Sequence, residues 1–284
     1  MEARSGRVGT LSMAIAQEEF EYLRRFIFAN SAMVLDEEQS YVAESRLSKL
    51  VYQEGVPSIR DLVRQLKLET NGPLQRKVID ALTNHETWFF RDVAPFELLR
   101  TVLLPEMQSR KRTGEPVTIW SAAASSGQEA SSIAMTAREL WMDAEAKVRI
   151  IATDVSQPVL ERARLGRYSQ LEINRGLPAV LLARYFRRDG LEWEVLPEIR
   201  RMIDYRWLNL AEPWPSMPAL DIVFLRNVMI YFDQTTKRTI LERVYRVLQP
   251  GGVLVLGGAE TTLGLHDGFV RVPSGKTSYY QKPR

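Results

Sequence analysis

The stretch IWSAAASSGQEASSIAM (119–135) carries the fold in miniature. Ile119 and Trp120 continue an apolar run that starts at Val117, and residues 128–141 are amphipathic. Between them, Ser121 to Gly127 holds only Ala, Ser and Gly. The order is strand, small-residue turn, helix. Small side chains let a ligand approach the backbone, and the helix N-terminus behind them offers N–H groups without intrahelical partners. The turn is not GxGxxG and the chain has no GxxxxGK, so a pyrophosphate cradle is poorly matched. Glu129, in the first helical turn, favours a ligand carrying an amine or another cation. The plainer alternative is a carboxylate placed to suit the helix dipole.

The same grammar repeats on the C-terminal side. VRIIATD (148–154), Leu220–Leu225 and Val253–Leu256 are short apolar runs, separated by helical patterns at 156–165 and 234–248. Continuous apolar strands between amphipathic helices imply a parallel sheet covered on both faces, a doubly wound α/β domain. Pro250-Gly251-Gly252 reads as the turn between the last helix and its strand, and Thr277–Gln281 as a final edge strand. Residues 166–206 interrupt the alternation with Arg-rich sequence and weak strand signals, and read as an insertion. On the N-terminal side the pattern is helical. Phe20, Leu23 and Ile27 share a face, Asp36 with Gln39 forms a capping-box pattern, Gly55 closes a helix and Ser58 with Asp61 opens the next. The expected organisation is a flexible segment over 1–14, a helical domain over 15–83 and the α/β domain over 84–284.

Composition narrows the chemistry. The chain of 284 residues has no cysteine and only two histidines, His85 and His266, which excludes disulfide scaffolds, thiol nucleophiles and zinc fingers. No metal centre is expected. A net charge of +3 is too small to mark a nucleic-acid surface, and none is expected. No apolar run of about 18 residues exists to span a membrane. The opening MEARSGRVGT has no apolar core and reads as no export signal, so the cytoplasm is the expected compartment.

In a doubly wound sheet the ligand lies beyond the carboxyl ends of the strands. Asp154 stands there, directly after its strand, where an acid takes both hydroxyls of a ribose; a helix N-cap is its plainer alternative. A small-residue turn with this acid points to a nucleoside ligand lacking a pyrophosphate, and S-adenosylmethionine fits that description. NHETWFFRD (84–92), WSAAASSGQEASSIAM (120–135), ATDVS (152–156), FLRNVMIYFD (224–233) and LQPGGVLVLGGAETTLG (248–264) resemble, in order, the motifs of the CheR family. These bacterial chemotaxis methyltransferases esterify chemoreceptor glutamates with S-adenosylmethionine. The resemblance runs from about residue 15 to the end, with Arg164–Tyr168 and Leu177–Phe186 similar to the family's inserted β-subdomain.

The resemblance implies a Rossmann-like class I methyltransferase domain with a small inserted β-subdomain, preceded by an all-α domain. Thr87 and Arg91 would contact the amino-acid end of the cofactor, Glu129 its amine and Asp154 its ribose. Asn209 and Leu210 would frame the adenine, and Arg226 with Asn227 would border the methyl donor. His85 stands where the family usually has Asn and keeps one hydrogen bond to offer. Tyr231, just past the strand of Arg226, is the candidate catalytic residue, lining the methyl-transfer channel; packing is its plainer alternative. Trp88, Phe89 and Phe90 read as core.

A glutamate carboxylate is ionised at pH 7, so methyl transfer to it needs no general base. The implied partner is the cytoplasmic helical bundle of a chemoreceptor, together with its C-terminal tether peptide. Arg60, Arg64 and Lys67 lie at i, i+4 and i+7 on the helix opened by Ser58, opposite Leu62, Val63 and Leu66, and form a candidate receptor-binding stripe that Arg46 and Lys49 extend. The alternatives are a solvated face for the stripe, a regulatory module without catalysis for the chain, and RNA or a small molecule as methyl acceptor.

Overall fold

The computed structural model describes residues 15–69 and 72–284. The expected flexible segment 1–14 lies outside them. The chain forms two compact units, Met1–Asn84 and His85–Arg284.

The first unit is helical: α1 (Gln17–Ser31), α2 (Ser40–Glu54), α3 (Ile59–Leu68) and α4 (Pro73–Leu82). The Asp36–Gln39 box forms, with the Asp36 N–H donating to Gln39 Oε1 at 3.2 Å, but it caps a single 3-10 turn that leads into α2. Gly55 ends α2 at φ +65°, where a side chain would be strained. Ser58 Oγ accepts from the Asp61 N–H at 3.1 Å and starts α3. The apolar stripes meet in a core of Leu23, Ile27, Leu47, Leu62, Leu66, Val78 and Leu82, all buried. Each such side chain contributes about 1.5–3 kcal/mol by leaving water.

The second unit carries ten strands: β1 (Val117–Ala122), β2 (Val148–Asp154), β3 (Arg167–Ser169), β4 (Phe186–Asp189), β5 (Glu192–Val195), β6 (Ile203–Trp207), β7 (Leu220–Leu225), β8 (Leu248–Leu256), β9 (Val270–Ser274) and β10 (Thr277–Gln281). Seven form one sheet in the order β6-β2-β1-β7-β8-β10-β9. Its first five are parallel, and β10 is antiparallel to both neighbours. β1 and β7 are buried along their whole length, as strands covered on both faces must be. The chain runs outward from β1 through β2 to β6, then returns to β7 on the other side of β1. The crevice at this reversal is the expected ligand position.

Three expectations change. Thr277–Gln281 is not the edge, because β9 lies outside it. β9 is mostly exposed and contains Arg271 and Pro273, residues that suit an edge and hide a strand from apolar patterning. Pro250-Gly251-Gly252 lies inside β8, whose register against β7 is irregular there. Finally, the insertion stops short of 206, since Ile203–Trp207 pairs with β2 in the main sheet. The insertion itself is a three-stranded antiparallel sheet, β3-β5-β4. It is held to the 84–92 motif by Phe89, which packs edge-on to Tyr168 (5.0 Å) and Phe186 (5.5 Å). At Gly176 any Cβ would fall 2.1 Å from the Phe89 carbonyl oxygen, so only glycine allows this approach.

Candidate active site

The turn after β1 is held in an uncommon shape. Ala123, Ser125 and Gly127 all have left-handed φ (55°, 51° and 91°). Six of the seven non-glycine residues with positive φ among the described residues, Phe90, Asp92, Val93, Ala123, Ser125 and Asn227, lie in the loops that meet at these strand ends. Val93 is β-branched, for which this conformation is strained. Strain of this kind persists only where surrounding bonds impose it, and it concentrates at functional sites.

Those bonds are visible. Asp154 accepts from the Ser125 N–H through Oδ2 (2.8 Å) and from the Ser156 N–H through Oδ1 (2.9 Å). It therefore straps the β1 turn to the end of β2. Ser156, not Asp154, caps the helix Gln157–Leu165 with its side chain. This buried carboxylate stands at the strand end, the place where an acid takes the hydroxyls of a ribose. Ser125 Oγ donates to the His85 carbonyl at 2.8 Å, tying the 84–92 motif to the same turn. Below the turn, burial pushes the Tyr168 hydroxyl well above its usual pKa, and it donates to the Ser126 carbonyl at 2.8 Å.

Arg226, at the end of β7, has a fully enclosed side chain. Its guanidinium donates to Glu129 Oε2 (2.9 Å), Asp92 Oδ2 (2.7 Å) and the Arg91 carbonyl (3.0 Å), while Nε is buried with no partner. Ser121 Oγ donates to Glu129 Oε1 at 2.8 Å. One cation thus faces two carboxylates, Glu129 and Asp92, and Asp154 adds a third acid at the next strand end. By formal charge the strand ends are net negative; Glu129 is largely shielded from water, where charge is felt strongly, while Asp92 is half open to it. This donor set fits S-adenosylmethionine: an acceptor for an amine, an acceptor for ribose hydroxyls, and a field favouring a sulfonium.

The other candidates occupy neighbouring loops. Arg91 donates to the Glu86 carbonyl (3.1 Å) and lies over the Trp88 ring at 4.2 Å; Arg175 covers the same ring at 4.1 Å. Trp88 is half-buried between two guanidiniums rather than core, whereas Phe89 is fully buried. Thr87 and His85 are half-buried in the same segment. Asn209 is buried in the turn after β6, where its Nδ2 donates to Glu212 Oε1 (3.0 Å) and its Oδ1 accepts from the Ala211 N–H (3.1 Å). Leu210 is buried beside it. Asn227 has φ 57°, and Tyr231 is half-buried in the 3-10 turn Met229–Tyr231 that follows.

Arg60, Arg64 and Lys67 belong to the helical unit and are exposed on α3. Each has a partner there: Arg60 with Glu19 at 2.8 Å, Arg64 with Asp61 at 2.8 Å, and Lys67 over the Tyr22 ring at 4.9 Å. Arg46 donates to the Leu82 carbonyl at 2.8 Å, a link between α2 and α4.

Sequence reasoning missed Ser121, Asp92 and Glu260. Asp92 and Glu260 stand inside motifs already singled out, but nothing in their spacing names a partner. No helix among the described residues is long and apolar enough to cross a membrane.

Comparison with known proteins identifies the family. Residues 85–277 match the CheR methyltransferase, SAM binding domain, and residues 18–83 match the CheR methyltransferase, all-alpha domain. The chain is 38% identical over 274 residues to chemotaxis protein methyltransferase Cher2 of Pseudomonas putida, covering 95% of this chain and 99% of that one. It is 40% identical over 265 residues to chemotaxis protein methyltransferase 1 of Pseudomonas aeruginosa, covering 92% and 96%. Among solved structures, the N-methyltransferase NodS of Bradyrhizobium japonicum with S-adenosyl-L-homocysteine is 16% identical over 67% of this chain and 89% of that one, with a TM-score of 0.37, too distant to bear on its chemistry. With both of its domains matched in order and relatives near 40% identity along almost its whole length, the chain belongs to the CheR methyltransferase family and uses S-adenosylmethionine.

Proposed function

We propose that the chain transfers the methyl group of S-adenosylmethionine to glutamate side-chain carboxylates of a bacterial chemoreceptor, giving methyl esters. The observation that carries this reading is the net-negative cluster of Glu129, Arg226 and Asp92 beside Asp154 at the strand ends. S-adenosylmethionine supplies a methyl group made electrophilic by its sulfonium. Glu129 receives the amine, Asp154 the ribose hydroxyls, and Asn209 and Leu210 frame the adenine. Arg91, with Thr87 and His85 beside it, addresses the amino-acid carboxylate, since a guanidinium has five donors and the Glu86 carbonyl takes one. Arg226 acts through Glu129, while Asn227 and Tyr231 border the methyl path. No residue must remove a proton, because the acceptor is already a carboxylate. The chain's task is alignment and exclusion of water. Transfer of a tritiated methyl group to the receptor's cytoplasmic fragment, released as methanol by mild base, tests the assignment; a base-stable product overturns it.

S-adenosylhomocysteine should raise the melting temperature. At a hundred times its Kd, a ligand selective for the folded state contributes about 2.7 kcal/mol. A thermal-shift titration with no movement, and no heat in calorimetry, contradicts the cofactor site.

The α3 stripe is the proposed grip on the receptor's glutamate-rich bundle. The Arg64–Asp61 pair joins neighbours on one helix with the guanidinium largely exposed, and such surface pairs are worth only about 0–1 kcal/mol, so a receptor carboxylate can replace Asp61 at little cost. Reversing Arg60, Arg64 and Lys67 to Glu should slow receptor methylation and remove most of its salt dependence, with cofactor affinity unchanged. Wild-type rates at low salt would make the stripe a solvated face. β4, one of the two outer strands of the small sheet, is the proposed seat for the receptor's C-terminal tether peptide, by strand addition. A pull-down with that peptide tests it.

A further inference from the structure

Glu260 lies four residues beyond β8, and its carboxylate gathers four backbone N–H groups. Oε2 accepts from Asn227 (2.8 Å) and Gly257 (2.8 Å), and Oε1 from Val228 (3.0 Å) and Met229 (2.7 Å). Asn227, Val228 and Met229 follow β7, and Gly257 follows β8. One side chain therefore clamps the ends of two adjacent parallel strands at the rim where Arg226 meets Glu129. It also satisfies the N–H groups that open the 3-10 turn leading to Tyr231, which have no partner inside that turn. Asn227 sits at φ 57°, in the left-handed region that asparagine adopts more readily than most residues. Gly257 closes around the clamp, since a Cβ there would lie 2.7 Å from Glu260 Oε2 and 2.8 Å from Asn227 Nδ2.

We propose that Glu260 is a positioning residue for methyl transfer, setting the 226–231 turn so that Asn227 and Tyr231 border the methyl path. The inference rests on the methyl-transfer reading above. It requires a carboxylate and not merely the shape of one. A carboxylate accepts at both oxygens, whereas glutamine would turn an NH2 group toward two N–H donors whichever way its amide is flipped. Aspartate keeps the charge and both acceptors, though its side chain is one methylene shorter.

The test compares wild type, E260Q and E260D, using tritiated S-adenosylmethionine with receptor fragment, calorimetry with S-adenosylhomocysteine, and thermal melts. A misplacement of about 1 Å costs up to ~100-fold, so E260Q should lose ~10- to 100-fold in kcat while binding S-adenosylhomocysteine within about threefold of wild type. E260D should recover part of kcat. Undiminished kcat in E260Q overturns the proposal. So does a fall in affinity and melting temperature that tracks the loss of kcat, because the clamp would then hold only the fold. Should E260Q fail to fold, hydrogen exchange in the wild-type protein decides. Slow exchange at Asn227, Val228, Met229 and Gly257, which lie outside the strands, supports the clamp, and fast exchange overturns it. A wild-type protein that methylates no receptor would instead refute the underlying function, leaving the calorimetry and exchange results to stand by themselves.

Discussion

Arg226→Ala lowers the unfolding free energy by about 3–5 kcal/mol, the usual result of removing one partner of an enclosed ion pair. The guanidinium is fully enclosed and its bonds to Glu129, Asp92 and the Arg91 carbonyl end together. Glu129 bears most of the loss. Its side chain is only 12% exposed, against 48% for Asp92, which water can solvate instead. Urea unfolding measures the effect. A second substitution, Glu129→Gln, should restore part of the stability by removing the stranded charge, yet it should not restore methyl transfer, since the amine then meets an uncharged amide. Stability within about 1 kcal/mol of wild type for Arg226→Ala would mean that water enters the site freely and that the cluster is not desolvated.

Asp154→Ala should weaken S-adenosylhomocysteine binding by about 1–3 kcal/mol, the cost of leaving buried hydroxyls without their charged acceptor. The same substitution releases the N–H groups of Ser125 and Ser156, so the β1 turn loses the strap that holds Ser125 in its left-handed conformation. Asp154→Asn separates the two effects. Its single carbonyl oxygen can replace one of the two N–H bonds but not both, so it should retain more stability than Ala while still binding cofactor weakly. Calorimetry and thermal melts on the pair check this. Unchanged affinity in both variants would leave Asp154 with a purely local role in the turn.

The parallel core was legible from sequence because complete burial leaves a local mark. A strand covered on both faces is apolar over most of its length, as β1 and β7 are, and an amphipathic helix must repeat its apolar face every third or fourth residue. The helix starts at Asp36 and Ser58 and the stop at Gly55 were legible for a similar reason, since capping joins residues a few positions apart. The positions of Glu129 in the first helical turn and Asp154 at the end of β2 were legible in the same way, since each follows an apolar run. The sheet's outer strands were not legible. β6 and β9 bury little, so they carry arginine, aspartate and proline like any loop. Partners of charged groups were hidden for a deeper reason. Glu260 meets the Asn227 N–H across 33 positions, Arg226 meets Glu129 across 97 and Asp92 across 134. Likewise, helical spacing predicted the α3 stripe, but Glu19, 41 positions away, turned Arg60 into half of an ion pair. Local propensity follows from a residue and its near neighbours. Which carboxylate receives which N–H is decided only when the folded sheet brings distant loops to one rim.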